Sequence, residues 1–198
     1  MEEETNYSKI IQDWNVNQSW TLFLDRDGVI NRRKIGGYIS MVDEFEFLPD
    51  VLNAFSLINN FFRRTIVVTN QQGVGKGLMT EQTVVQIHEY MIDAIQKNKG
   101  RIDKVYFSPY LASDNHSSRK PNTGMAILAA NEFSDISFKK SIMVGDTLSD
   151  MQFARTLNMK AVFIGNPEED NIDEHEFDVC FPSFYEFAKE IYNNFVIQ

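Results

Sequence analysis

The sequence predicts an α/β fold with three layers, in which helices cover both faces of a central parallel sheet. Short apolar runs alternate along the chain with longer segments of helical periodicity, a pattern typical of strand–helix–strand units. The short runs are almost continuously apolar, as expected of strands that are buried on both faces. A length of 198 residues with 43% hydrophobic residues suits one core and one main domain.

Six segments are predicted as strands, because each is a short apolar run bounded by polar residues or turn formers. In chain order they are residues 20–24, 64–70, 103–108, 141–146, 160–165 and the run "DVCF" near the end. Ligands of such sheets bind at the carboxyl ends of the strands. The residues that follow each strand are therefore the first candidates for a functional site.

Helices are predicted between the strands. The segment 48–62 has apolar residues at helical spacing, with Pro49 suited to the first turn. Thr80 can cap a helix that runs to about Lys97. Further helices are predicted for "GMAILAANEF", "LSDMQFARTLN" and "SFYEFAKEIYNNF".

The chain is divided here into an N-terminal extension, residues 1–18, and one domain, residues 19–198. The extension is acidic and rich in amide side chains. Its few apolar residues, Ile10, Ile11 and Trp14, can form a short helix that packs on the domain.

Composition excludes several classes of function. With 19 basic and 28 acidic residues, the net charge of −9 argues against a nucleic-acid surface formed by bulk charge, although a few local cations suffice to bind a small anion. The single cysteine, Cys180, allows neither an internal disulfide nor a cysteine-based zinc site. No apolar stretch approaches the roughly 20 residues that span a bilayer. We expect a cytoplasmic protein without membrane partners and, by default, a monomer.

Two aspartates follow the first predicted strand, in the sequence Asp25, Arg26, Asp27, Gly28. Carboxylates this close require a cation or a raised pKa. Because glycine permits a turn, Asp25 can point into the crevice while Asp27 leans over it. An acidic turn without a chemical role is the structural alternative.

Polar side chains also end the second predicted strand, where Thr69 and Asn70 can form hydrogen bonds in the same layer. Both residue types commonly end strands for structural reasons alone. The next residues, "GVGKG", resemble a phosphate-binding P-loop but fail its spacing, and no Ser or Thr follows Lys76. We interpret them as a flexible loop near the site, with Lys76 in solvent.

A third acidic position follows the fourth predicted strand, where Asp146 comes after Gly145 and Asp150 lies four residues later. Either carboxylate can simply stabilise the start of the next helix. Asp146 nevertheless falls at the same sheet edge as Asp25 and Asp27. Converging carboxylates favour a hard divalent cation such as Mg²⁺, which commonly bridges to a substrate phosphate.

Four motifs together resemble a known family. "LDRDGVIN", "VVTNQ", "RKP" and "MVGDTLSDMQ", in this order, resemble the motifs of the haloacid dehalogenase (HAD) superfamily of phosphotransferases. The chain resembles in particular the small-cap branch that contains heptose 1,7-bisphosphate phosphatase and histidinol-phosphatase, over about residues 19–165. The resemblance implies a Rossmann-like fold. Because no large insertion separates the motifs, we expect a capless or minimally capped enzyme.

The resemblance implies roles for the acidic residues. Asp25 would attack phosphorus to form an aspartyl-phosphate, and Asp27 would act first as general acid and then as general base. Mg²⁺ would be bound by the carboxylates of Asp25 and Asp146 and by the backbone carbonyl of Asp27. Asp150 would order the surroundings of the metal.

The resemblance also implies which residues bind the substrate. Thr69, Asn70 and Lys120 would hold the phosphoryl oxygens, and Arg119 would reach the rest of the substrate. Lys120 is in addition the cation that could balance the acids, since it stands in "RKP" close to them in the predicted fold.

One segment departs from the family pattern. Relatives commonly hold zinc with three cysteines and a histidine in the loop before "RKP". Here the corresponding residues are Ser108, Tyr110, His116 and Ser118, which do not form a zinc site. We therefore expect no zinc.

The function predicted from these observations is a Mg²⁺-dependent phosphatase of a small phosphate ester. The preferred substrate is a sugar phosphate such as D-glycero-D-manno-heptose 1,7-bisphosphate. Two alternatives stay open at this point, a histidinol-phosphatase and a non-catalytic binding protein that keeps the fold. A phosphorylated nucleic-acid end is disfavoured by the acidic composition.

Overall fold

The computed structural model describes residues 7–195; residues 1–6, which begin the predicted extension, and residues 196–198 lie outside the described residues. Six strands form the centre of the fold. They are β1 (Thr21–Leu24), β2 (Arg64–Asn70), β3 (Lys104–Ser108), β4 (Ser141–Gly145), β5 (Lys160–Ile164) and β6 (Val179–Phe181).

Seven α-helices accompany these strands in the described part of the chain. They are α1 (Tyr7–Trp14), α2 (Val51–Ile58), α3 (Glu81–Lys97), α4 (Gly124–Glu132), α5 (Leu148–Thr156), α6 (Pro167–Asp170) and α7 (Phe184–Phe195). The segments 25–50 and 71–80 contain turns, isolated β-bridges and one 3₁₀ helix, so neither inserts a separate cap domain.

All six strands are parallel and form one sheet in the order β3-β2-β1-β4-β5-β6. The direction of strand addition reverses beside β1, which pairs with β2 on one side and β4 on the other. Crevices at such reversal points are the usual ligand sites of open α/β sheets. The ends of β1, β2 and β4 are therefore where the fold positions its chemistry.

Hydrophobic clusters cover both faces of the sheet, which confirms the predicted three-layer α/β class. Leu22 and Leu24 point into a cluster that includes α2 and α7, whereas Phe23 points into the opposite cluster with α4 and α5. All three side chains are fully buried. Strands buried on both faces explain why the sequence shows continuous apolar runs instead of alternation.

Several boundaries differ from the prediction. The helix predicted over 48–62 is shorter in the structure, where α2 begins at Val51, directly after Asp50 in a left-handed conformation (φ 57°), and ends at Ile58. The fourth and fifth strands end before Asp146 and Gly165. The predicted cap of α3 is confirmed, since the Thr80 side chain accepts a hydrogen bond from the Thr83 N–H.

The short packing helix predicted in the extension is confirmed as α1. Ile11 and Trp14 are buried in the same cluster as α7, and Gln12 is hydrogen-bonded to Asn194 at 2.7 Å. The division of the chain at residue 18 remains a prediction. Within residues 7–195 we find no helix with the length and apolar character that crossing a membrane would require.

Candidate active site

The predicted site residues meet at the carboxyl ends of β1, β2 and β4. Asp25 follows β1, Thr69 and Asn70 end β2, and Asp146 follows β4. A cavity of about 810 Å³ opens above these strand ends. Its lining includes several predicted residues, namely Asp25, Asp27, Thr69, Asn70, Arg119 and Lys120.

Lys120 binds two carboxylates at the floor of this cavity. Its Nζ forms ion pairs with Oδ1 of Asp25 at 2.8 Å and Oδ1 of Asp150 at 2.6 Å, and it donates a hydrogen bond to the Val68 carbonyl at 2.7 Å. The ammonium therefore contacts three oxygens. The side chain is 2% exposed, so the arrangement is a buried cation that joins two acids.

Burial and mutual charge determine how these groups ionise. Burial raises the pKa of Asp25 to about 6, although the attraction of Lys120 opposes the rise. Burial alone would lower the pKa of Lys120, but the charges of Asp150 and Asp25 raise it overall. The ammonium therefore stays charged, and it favours the ionised form of Asp25 that a nucleophile requires.

Asp150 has a second contact besides Lys120. Its Oδ2 accepts a hydrogen bond from the Thr147 N–H at 3.1 Å, at the start of α5. The two interpretations from the sequence, a helix cap and a member of the acidic site, thus both describe this residue. It fixes the start of α5 and the position of Lys120 together.

Asp146 lies against the turn after β1. Gly28 has φ +97°, and a Cβ at that position would lie 1.7 Å from Oδ2 of Asp146. Only glycine allows this close approach. Arg33 forms an ion pair with the same carboxylate, with Nη2 2.7 Å from Oδ2.

The carboxylates of this cluster could hold a further cation. One oxygen each of Asp25, Asp146 and Asp150 lie within 4.8 Å of one another. Burial first, and then repulsion by Asp25 and Asp150, raise the pKa of Asp146 to about 8 despite Arg33 and Lys120. Oδ1 of Asp146 is buried and has no hydrogen-bond partner among residues 7–195. This donor set fits Mg²⁺, which prefers carboxylate and carbonyl oxygens.

Arg33 places one cation beside the groups that are predicted to bind the metal. Its Nη2 contacts the carboxylate of Asp146 and lies 3.5 Å from the backbone carbonyl of Asp27. Two of the three groups predicted to bind the metal thus already face one cation. The Arg33 side chain is 49% exposed, so it can turn toward solvent or toward a ligand at little cost.

Asp27 is held by four hydrogen bonds. Arg26 donates to both of its oxygens at 3.0 and 2.8 Å, Asn31 donates to Oδ1 at 2.9 Å, and Gln71 donates to Oδ2 at 2.8 Å. Burial alone would raise the pKa of Asp27, but the Arg26 charge and these donors lower it overall. The carboxylate therefore favours its ionised form, which is the form of a base.

Arg26 is itself fully buried, and it contacts His88 as well as Asp27. Its Nη1 lies 3.1 Å from Nε2 of His88 on α3. Burial, together with the Arg26 charge, lowers the pKa of His88 to about 3, so the imidazole is neutral. A neutral acceptor under the guanidinium suits a buried arginine whose charge is balanced by Asp27.

Thr69 and Asn70 are placed at the cavity as predicted but have partners there. Thr69 accepts a hydrogen bond from Gln71 at 2.9 Å. Asn70 forms two hydrogen bonds with the backbone of Lys120, one from its Nδ2 to the carbonyl at 3.1 Å and one from the Lys120 N–H at 3.0 Å. Asn70 therefore ties the end of β2 to the segment that presents Lys120.

Arg119 lies beside the cavity and is partly buried. Its Nη1 donates to the backbone carbonyl of Tyr110 at 3.1 Å. The sequence predicted Arg119 and Lys120 as neighbours in one site. The structure holds them differently, because Lys120 is anchored by buried acids and Asn70 whereas Arg119 is anchored by the preceding loop.

Four residues of the site were not predicted from the sequence, namely Arg26, Arg33, Gln71 and His88. Gln71 follows Asn70 directly, and its position after a strand end was the available signal. Arg26 stands between two predicted catalytic acids, and a cation at that point could have been anticipated from their charge. Nothing in the sequence distinguishes Arg33 from its neighbour Arg32, which forms an exposed ion pair with Glu46.

Comparison with known proteins agrees with this geometry. The family model described as polynucleotide kinase 3 phosphatase matches residues 21–169. The chain is 36% identical over 174 residues to D-glycero-alpha-D-manno-heptose-1,7-bisphosphate 7-phosphatase of Mycobacterium tuberculosis, covering 85% of this chain and 90% of the relative. It is 32% identical to the D-glycero-beta-D-manno-heptose-1,7-bisphosphate 7-phosphatase of Helicobacter pylori, covering 77% of this chain and 88% of the relative.

A solved structure is similar over most of the chain. D,D-heptose 1,7-bisphosphate phosphatase from B. bronchiseptica, complexed with magnesium and phosphate, aligns with a TM-score of 0.78 and 26% sequence identity. The alignment covers 88% of this chain and 98% of that one. The similarity therefore extends well beyond the residues of the site.

Proposed function

The chain belongs to the HAD phosphatases, in the branch of the heptose bisphosphate phosphatases, and from this membership we propose that it hydrolyses a heptose 1,7-bisphosphate at position 7. The recognition of the family and the identification of an enzyme made from the sequence are confirmed. The substrate and the residue roles are our proposal. Relatives that act on the alpha and on the beta anomer both match the chain, and the more similar of the two named above acts on the alpha anomer.

One observation carries the proposal. Asp25 lies at the floor of an open cavity, paired with the buried ammonium of Lys120 and within 4.8 Å of two further carboxylates. A nucleophilic carboxylate, a fixed cation and a metal-binding acidic cluster are the parts that phosphoryl transfer requires. A binding protein without catalysis would gain nothing from burying these charges at the cost of stability.

The first step proposed is attack of Asp25 on phosphorus. Because Oδ1 of Asp25 is held by Lys120, Oδ2 is the oxygen that attacks. A bond forms between this oxygen and phosphorus while the bond from phosphorus to the sugar oxygen breaks, and Asp27 gives a proton to that leaving oxygen. The donors around Asp27 favour its ionised form, so at least one of them must turn away when the acid is protonated.

The second step regenerates the enzyme. Water attacks phosphorus of the aspartyl-phosphate, Asp27 accepts the proton, and inorganic phosphate leaves as the Asp25 carboxylate is restored. The lowered pKa of Asp27, caused by Arg26 and the other donors, suits this base role. General acid–base action contributes typically about 10²–10⁴-fold, so positioning and charge stabilisation must supply most of the acceleration.

Mg²⁺ is the proposed cofactor, held by the carboxylates of Asp25 and Asp146 and the Asp27 carbonyl. When bound, it neutralises negative charge on the phosphoryl group during transfer. The ammonium of Lys120, which contacts Asp25, would also neutralise negative charge on the phosphoryl group. Thr69, Asn70 and Lys120 are proposed to hold the phosphoryl oxygens, with Lys120 exchanging one of its present contacts for the substrate.

The rim of the cavity supports a substrate with more than one phosphate. Four cations line it, namely Arg33, Lys34, Lys76 and Arg119, in a chain of net charge −9. A concentration of cations at one opening of an acidic protein attracts a small polyanion. The general acidity disfavours a polynucleotide, whose backbone would extend beyond this opening.

The substrate assignment is tested by a comparison of kcat/KM across esters. The panel contains both anomers of heptose 1,7-bisphosphate, histidinol phosphate, a 3′-phosphorylated oligonucleotide and p-nitrophenyl phosphate. We expect the highest kcat/KM for a heptose bisphosphate, release of only the 7-phosphate, and loss of turnover in EDTA that Mg²⁺ restores. A preference for histidinol phosphate or the oligonucleotide would replace the substrate proposal, and no turnover of any ester with Mg²⁺ would overturn the enzymatic one.

We further propose that the 108–118 loop binds no zinc. Its four positions that correspond to zinc ligands in relatives are occupied by serine, tyrosine, histidine and serine, and these side chains contact one another. Metal analysis of untagged protein purified without chelators should find substoichiometric zinc. One zinc per chain would contradict the proposal.

A further inference from the structure

Three side chains of the loop before the active-site lysine form a hydrogen-bonded chain. Oγ of Ser118 lies 2.8 Å from Nδ1 of His116 and 3.0 Å from Oγ of Ser108. The Ser118 backbone N–H donates to the same Nδ1 at 3.2 Å. Because a backbone N–H can only donate, Nδ1 of His116 is an acceptor and the ring carries its proton on Nε2.

A stacking contact between two rings joins the two ends of the same loop. The rings of Tyr110 and His116 are stacked, with centroids 3.5 Å apart and planes inclined by 18°. Ser108 is the last residue of β3 and is fully buried. The four residues Ser108, Tyr110, His116 and Ser118, which we name the loop clasp, therefore fasten the loop to the rigid end of a strand.

The loop clasp leads directly to Arg119. The Arg119 N–H donates to the His116 carbonyl at 2.9 Å, and its guanidinium donates to the Tyr110 carbonyl at 3.1 Å. The two residues that stack are thus the two whose carbonyl groups hold Arg119. Lys120 is different, because Asn70, Val68 and the buried acids hold it independently of the loop.

We propose that the loop clasp positions Arg119 for the part of the substrate that lies beyond the reacting phosphate. This inference rests on the proposed function, in which Arg119 contacts the distal portion of a phosphorylated sugar. His116, Tyr110 and Ser118 are positioning residues and touch no reacting atom. Disrupting them should weaken binding of a large substrate while leaving hydrolysis of a small one nearly unchanged.

His116 offers a matched pair of variants. In asparagine, Oδ1 is bonded to Cγ as Nδ1 is in histidine, so His116→Asn keeps an acceptor where Ser118 donates. In glutamine, the carbonyl oxygen lies one bond farther out, near the place of Nε2. His116→Gln therefore removes the acceptor of the loop clasp while keeping a polar side chain of similar size.

The kinetic experiment compares heptose 1,7-bisphosphate with p-nitrophenyl phosphate in these variants and in Ser118→Ala, with Ser117→Ala at the exposed neighbouring serine as control. We expect His116→Gln and Ser118→Ala to raise KM for the bisphosphate about tenfold, with kcat/KM for the aryl phosphate within about twofold of wild type. Ser117→Ala should stay near wild type, and His116→Asn should raise KM less than His116→Gln, because it keeps the acceptor although it loses the ring stacked on Tyr110. A similar fall in kcat/KM for both substrates would indicate general destabilisation of the protein, and it would overturn the inference.

A double-variant cycle and an exchange measurement complete the test. In an Arg119→Met background, His116→Gln should have no further effect on KM, because its effect acts through Arg119; additive effects would contradict this. Hydrogen exchange of residues 109–119 should rise more in His116→Gln than in His116→Asn, because only the asparagine keeps the acceptor. This readout is independent of turnover, so equal exchange in both variants overturns the loop clasp even if the substrate proposal also fails.

Discussion

Replacement of Asp25 by asparagine is expected to lower kcat by about 10⁴-fold or more while the protein remains folded. An amide nitrogen or oxygen at this position cannot form the aspartyl-phosphate, so the first chemical step is lost. Asp25 is buried, and burial raises its pKa to about 6. Its charge is therefore unfavourable in the free enzyme, and removing it should leave the free energy of unfolding unchanged or increase it.

The measurement is steady-state turnover together with thermal unfolding. Asp13→Asn, which makes the same substitution at an exposed position on α1, serves as the control and should match wild type in both. Turnover of Asp25→Asn within about tenfold of wild type would remove Asp25 as the nucleophile. A large loss of stability in Asp25→Asn would instead mean that the buried ammonium of Lys120 depends on the Asp25 charge, in spite of the raised pKa of Asp25.

Replacement of Lys120 by methionine is expected to affect both stability and turnover. The ammonium compensates Asp25 and Asp150 and binds the Val68 carbonyl. Removing one partner of a buried ion cluster typically costs about 3–5 kcal/mol, because the remaining charges stay buried without compensation. We expect a loss of that size in the free energy of unfolding and a fall in kcat of at least about 10²-fold, since the transferring phosphoryl group also loses a cation.

The pH dependence of this variant distinguishes electrostatic from packing effects. The pKa of Asp25 is raised above its value in the unfolded chain, so the native state binds more protons than the unfolded state between the two values. Stability that depends on Asp25 therefore falls as pH rises through about 6. The loss in the free energy of unfolding of Lys120→Met, measured against wild type, should therefore be smaller at low pH than at high pH. The exposed control Lys139→Met should show no such dependence on pH. A deficit that does not vary with pH would indicate lost packing alone.

The strands and the acids at their ends were predictable because their signals are local. Continuous apolar runs identify buried strands, and parallel strands bring their carboxyl ends to one edge, so Asp25 and Asp146 could be placed together without a structure. The start of α2 was not predictable in this way. Asp50 takes a left-handed conformation, which no periodicity of the flanking residues indicates.

The contacts within the site were less predictable than its members. Lys120 was predicted as a phosphate ligand and as a balance for the acids. It also donates a hydrogen bond to the backbone carbonyl of Val68, and a backbone partner cannot be identified from the sequence. Arg33 reaches Asp146 from a loop whose path depends on tertiary packing. A charged residue as completely buried as Arg26 contradicts the usual preference for the surface, and only the positions of Asp27 and His88 explain it.

The central claim, an enzyme that transfers the phosphoryl group to Asp25, is tested most directly by trapping that intermediate. p-Nitrophenyl phosphate, whose leaving group needs no proton, is mixed with Mg²⁺-loaded Asp27→Asn protein, so that the intermediate still forms while loss of the base slows its hydrolysis. The quenched protein is then digested for mass spectrometry. We predict the added mass of one phosphoryl group on the peptide that contains Asp25. The double variant Asp25→Asn/Asp27→Asn should show no added mass on that peptide. A phosphoryl group on another residue, or burst release of phosphate with no labelled peptide, would contradict the account.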